Sequence, residues 1–164
     1  IYGYDHIVGT PMRGDVMRGK KLPNRVKSDK MKSLLCGMGC YEIATYSFIA
    51  SGALDTLNIP ADDARRNVVK LINPLGDEYS TMRTQLVSSM LTVMATNINR
   101  KIEAGRFFEE SKRFIPKSLP VTEQPDELPT LCIGLYGKDE DFFTLKGIVE
   151  ELMTLFGAHT QYKR

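Results

Sequence analysis

Only two histidines, His6 and His159, and three cysteines, Cys36, Cys40 and Cys132, occur among the 164 residues, and each scarcity removes a class of chemistry. A Ser-His-Asp or Cys-His nucleophile needs a histidine base, and both histidines stand near a chain end. Zinc sites cluster their ligands at short spacing. Here only Cys36 and Cys40 are close, at i and i+4 on one predicted helix face, which reads as apolar burial. An odd cysteine count without a dense framework fits a reducing cytoplasm better than secretion. No apolar run approaches the roughly 18 residues of a membrane helix, and no signal-peptide pattern opens the chain. A GxxxxGK[ST] phosphate loop is missing too, and the glycines of "CGMGC" follow a predicted helix instead of opening one.

What is present suffices for one compact core: 42% of residues are hydrophobic and the length suits a single domain. Lys and Arg number 22 against 20 Asp and Glu, a net +2, so bulk charge favours neither a nucleic-acid coat nor an acidic chaperone. The basic residues are unevenly placed. From Arg13 to Lys32 eight of them face only Asp15 and Asp29, a solvated strip or a phosphate-binding one. No aromatic residue interleaves that strip to stack on bases. The first residue is Ile1, which suggests a piece of a longer protein.

Residues 1–22, with four Gly and Pro11, read as the tail of a preceding small domain plus a linker; residues 23–164 form the main domain, incomplete at its C-terminal end. Val26, Met31, Leu34, Leu35 and Met38 recur at helical spacing before Gly39, so a first helix is predicted over 26–38. "YEIATYSF" alternates as a strand over 41–48. Ser51 caps a short helix through Leu57, "NVVKLIN" reads as a strand, and Ser80 or Thr81 starts a second long helix. "RFFEESKRFI" is a strand, "VTEQPDELP" a loop, and "TLCIGLYG" an apolar strand that should be central in its sheet. In the last helix Leu145, Ile148, Val149, Leu152, Leu155 and Phe156 form the stripe, with Asp141 at its start and Gly157 at its stop. "AHTQYKR" could begin a further strand. Without a regular βα alternation, the fold class is α+β with a mostly antiparallel sheet.

"NPLGDEYSTMRTQL" holds the residue of most interest, Arg83. In the first helical turn an arginine is mildly disfavoured by the macrodipole, so Asp77 or Glu78 should offset it. Alternatively its planar fork grips a carboxylate or phosphate in a cleft.

"IYGYDHI", "GCYEIATYSF", "NPLGDEYSTMRTQL", Asn97 to Arg100, "FFEESKRF" and "DFFTLKGIVEEL" stand in the order and approximate spacing of one family. The sequence resembles the beta subunit of bacterial phenylalanine-tRNA ligase, in its class II aminoacyl-tRNA synthetase-like module. The resemblance implies a cytoplasmic enzyme, with no membrane partner, that attaches phenylalanine to its tRNA. ATP and magnesium serve the whole enzyme and no cofactor is implied in this piece. The chemistry would belong to a partner alpha subunit, because "TLCIGLYG" offers no carboxylate where the alpha chain's strand has glutamate. No catalytic or metal-binding residue is therefore assigned here. The exposed part of the Met31, Leu34, Leu35 and Met38 stripe is expected to meet the alpha subunit. Lys20, Lys21 and Arg25 are candidates for tRNA phosphate contacts. Arg83 becomes a structural anchor, bonded to Asp77, Glu78 or a backbone carbonyl. Competing readings are a stand-alone ligase that binds ATP through Arg83 and Glu109 or Glu110, and an RNA-binding module built on Lys20 to Lys32. The chain departs from the family pattern at Glu110 and Ser111, at Gly76, and at Ser88 and Ser89, where the family has Pro-Gly.

Overall fold

The computed structural model describes residues 3–158. Residues 7–22 carry no helix or strand and lie exposed. Proline at the first helical position then presets the backbone for α1 (Pro23–Gly37). At its other end Gly39 takes φ +81°, and the N–H groups of Gly39 and Cys40 close onto the carbonyls of Cys36 and Leu35. This Schellman closure turns the chain directly into β1 (Tyr41–Glu42).

β2 (Phe48–Ile49) pairs antiparallel with β3 (Thr81–Met82), and the short α2 (Ala53–Thr56) lies between them in sequence. α3 (Val87–Asn99), β4 (Gly105–Ile115), β5 (Asp126–Tyr136) and α4 (Phe142–Leu155) complete the regular elements. The main sheet has the order β1-β4-β5 and is mixed: β1 runs parallel to β4, while β4 and β5 form a long antiparallel ladder. α1 and α4 cover one face, where Met31, Leu35, Cys40, Phe108, Ile148 and Leu152 make the core. Met90 and Met94 of α3 come down on the other face, over Gly134.

Several sequence expectations change. The strand expected over 41–48 is broken, with only its ends paired, because its middle bonds to a buried carboxylate described below. α3 begins at Val87, not at Ser80 or Thr81, which lie at and in β3; the Gln85 carboxamide accepts the Ser88 N–H and does the capping. "NVVKLIN" contributes only an isolated bridge, Lys70 to Thr81. The short helix is preceded by Gly52, without a side-chain cap from Ser51. "VTEQPDELP" is partly strand, since β5 already starts at Asp126. β4, not β5, is the central strand. The apolar run in β5 reflects cover on both faces, by Leu131, Ile133 and Leu135 against α1 and α4 and by Gly134 against α3. The further strand expected from "AHTQYKR" falls almost wholly outside the described residues, as does His159.

Candidate functional site

Arg83 lies in the link between β3 and α3, with its side chain fully buried. Its own backbone fixes it from two sides: the N–H donates to the Ser47 carbonyl and the carbonyl accepts from the Phe114 N–H. The guanidinium points across β4. Nη2 donates to Glu109 Oε1 at 3.0 Å and to Ser111 Oγ at 2.5 Å, Nη1 donates to Thr45 Oγ1 at 2.7 Å, and Nε donates to the Lys112 carbonyl at 3.1 Å.

Glu109 is 2% exposed and closes a ring. The Thr45 hydroxyl that accepts from Arg83 donates in turn to Glu109 Oε2 at 2.8 Å, and the Thr45 backbone N–H donates to Oε1 at 3.2 Å. A buried ion pair is tolerable only when its remaining lone pairs and protons are also satisfied, and here almost all are. The acid beside Arg83 is thus Glu109, not Asp77 or Glu78, and the backbone carbonyl is that of Lys112. Sequence spacing gave no pointer to Glu109 or Thr45, which lie 26 and 38 positions away. Burial, followed by the Glu109 carboxylate, pushes the neighbouring Cys132 thiol up, with Arg83 acting the other way.

Glu110 projects to the opposite face, where it accepts from the Ser28 hydroxyl and lies 3.5 Å from Lys32 Nζ. The two departures from the family pattern in this strand therefore both have partners: Ser111 serves Arg83 and Glu110 serves α1. The β4–β5 register continues unbroken through both. At the third departure, Ser88 and Ser89 continue α3 without interruption.

The apolar stripe on α1 is largely used up inside the fold. Met31 and Leu35 are 8% and 0% exposed and pack against Phe108, Ile148 and Leu152, so neither is available to a partner. Leu34 and Met38 are partly exposed and lean on the same core. Lys20, Lys21 and Arg25 are exposed; Lys21 and Arg25 both reach Asp29, at 2.7 and 3.0 Å. Among the described residues, no group of three or more His, Cys, Asp or Glu could hold a metal ion. No helix among them is long and apolar enough to cross a membrane.

The fold has counterparts among solved structures. It superposes on pyrrolysyl-tRNA synthetase from Desulfitobacterium hafniense with TM-scores of 0.65 and 0.67 in two solved structures. The alignment covers 84% of this chain and 48% of each of those at 16% identity, a likeness of fold. The sequence narrows the class to a family. Residues 7–164 match the family described as phenylalanyl tRNA synthetase beta chain CLM domain, and the chain belongs to it. The phenylalanine–tRNA ligase beta subunit of Clostridium tetani is 38% identical over the whole of this chain. That of Clostridium acetobutylicum is 37% identical over 97% of it. The chain spans about a fifth of the length of these relatives, 21% and 20%.

Proposed function

We propose that the chain is a non-catalytic scaffold within the beta subunit of a cytoplasmic phenylalanine-tRNA ligase, the enzyme that uses ATP and magnesium to attach phenylalanine to its tRNA. It pairs with an alpha subunit that carries the chemistry. The observation that supports this most is the closed ring of Arg83, Thr45 and Glu109: a guanidinium with no exposure, bonded to a carboxylate 2% exposed, presents nothing to a triphosphate. Glu110, held by Ser28 and Lys32, is likewise committed within the fold. These residues do not fit a nucleotide site, and the stand-alone ligase reading loses its proposed ligands. With Met31 and Leu35 inside the core, Leu34 and Met38 remain as the contacts for the alpha subunit on this helix.

Calorimetric titration tests the scaffold reading: micromolar ATP binding by the chain overturns it. Co-purification with an alpha subunit tests the pairing, with Leu34→Asp and Met38→Asp expected to weaken the complex while the fold survives.

A second reading concerns tRNA phosphate contacts. Lys21 and Arg25 have side chains 68% and 64% exposed and share the single carboxylate of Asp29, which leaves a net cation for an anion in solution. Replacement of Lys20, Lys21 and Arg25 by Ala should lower the dependence of tRNA affinity on salt by about one unit of log-log slope per lost contact. An unchanged slope in the whole ligase removes this contribution.

A further inference from the structure

We propose that a trough between α2 and α3 seats a helix of a partner protein, one with an uncharged, bulky contacting face and a lysine or arginine in its first turn. Two adjoining hollows of about 370 and 570 Å³ form the trough and share Ala50, Ala53, Ser88 and Thr92 as walls. Small side chains on both sides leave room for large ones from outside. Beside the trough, α3 exposes Val87, Leu91 and Ile98 at 47%, 45% and 49%. Residues 84–99, which include the whole of α3, contain no charged side chain, although 26% of the chain is charged. A helix exposed to water on one side normally sets charges there, whereas charge depletion marks the centre of a protein interface.

The end of the trough fixes the polarity of the guest. Tyr46 and Tyr79, in edge-to-face contact at 5.3 Å, stand there with the exposed Glu78. Because Arg83 is bound to Glu109, neither Glu78 nor Asp77 has an ion-pair partner among the described residues. A guest helix entering with its N-terminus at Glu78 brings the positive end of its dipole and a basic side chain to that carboxylate. Nucleic acid is disfavoured, since neither hollow has a lysine or arginine in its walls and Glu78 repels phosphate. A second copy is disfavoured as well: α4 offers exposed Phe142, Met153 and Phe156, but its N-terminus carries Asp141, an acid against an acid.

Fluorescence anisotropy with two labelled, stapled peptides tests the proposal on the 164-residue chain. Both carry leucine at i, i+3, i+4 and i+7; one has two lysines in its first turn and the other two glutamates. The lysine peptide should bind on the order of tenfold more tightly. Glu78→Lys should reverse the ranking, and Leu91→Glu should abolish binding of both, with an unchanged circular-dichroism melt showing that the variants fold. Absence of binding, equal binding of the two peptides, or full binding by Leu91→Glu overturns the proposal. So does preference for neutral phospholipid vesicles over the lysine peptide, or self-association of the chain in sedimentation that Leu91→Glu removes.

Discussion

Arg83 Nη2 and Glu109 Oε1 meet at 3.0 Å where neither side chain reaches solvent, and Thr45 bridges the other two corners of the pair. The three residues come from the broken segment after β1, the β3–α3 link and the central strand, so the ring fastens three stretches of chain to one another.

Removing one partner should therefore cost far more than an exposed ion pair does. Arg83→Ala leaves Glu109 buried and unpaired, and a loss of about 3–5 kcal/mol is expected. Urea denaturation measures it through the midpoint. The double variant Arg83→Met, Glu109→Leu should be more stable than the sum of the single changes by about 0.5–3 kcal/mol. Strict additivity would show that the pair is not coupled.

Leu35 and Leu34 are adjacent in sequence and differ in role. Leu35, fully buried against Phe108 and Ile148, should cost about 2–5 kcal/mol on truncation to Ala. Leu34→Ala should cost clearly less, because part of the side chain already meets water. Equal losses in thermal melts would put Leu34 inside the core and remove it as a partner contact.

These residues also show what a linear sequence can disclose. α4 was legible because its stripe, its Asp141 cap and its stop at Gly157 agree, each being a local signal. The same holds for α1 and for the existence of β4. The break after β1 was not legible: Thr45 alternates correctly for a strand, yet its N–H and hydroxyl go to a carboxylate 64 positions away. α3 starts later than the sequence predicts because Ser80 and Thr81 look like caps, while Thr81 donates its hydroxyl to the Ile49 carbonyl across the β2–β3 pair. Hydrophobicity in β5 reports covered faces and is silent about edges, so it points to β5 as the central strand where β4 holds that place. Arg83 stands out in the sequence as an anchor candidate, but its partner Glu109, 26 positions on, suggests itself there only as a nucleotide ligand.

Two glycines of the hairpin end should differ in their tolerance of a methyl group. A Cβ at Gly134 would meet Met90 Cγ and Met94 Sδ, both at 2.9 Å, and flexible methionines can shift. At Gly137 it would meet Ala104 Cβ at 2.7 Å and its Cα at 3.2 Å, with φ at +145°. Gly137→Ala should cost about 1–3 kcal/mol from backbone strain alone, and more than Gly134→Ala. The reverse order in chemical denaturation would mean that the methionine contacts are the more rigid.

Acid should loosen this protein partly through two capping carboxylates. Hydrogen bonds and charge from Arg65 hold the Asp63 carboxyl at about 2, and the Thr144 N–H and hydroxyl keep Asp141 below its usual range. Both folded values lie beneath the unfolded one of about 3.9, so the unfolded chain binds more protons in that interval. Stability from these groups is present above pH about 4 and drains away as pH falls toward 2. Asn can cap as Asp does but does not titrate. Asp63→Asn and Asp141→Asn should thus flatten the acid limb of stability between those limits by lowering stability above pH about 4 toward the value that the parent chain has near pH 2. An acid limb as steep as that of the parent chain would assign the loss to other carboxylates.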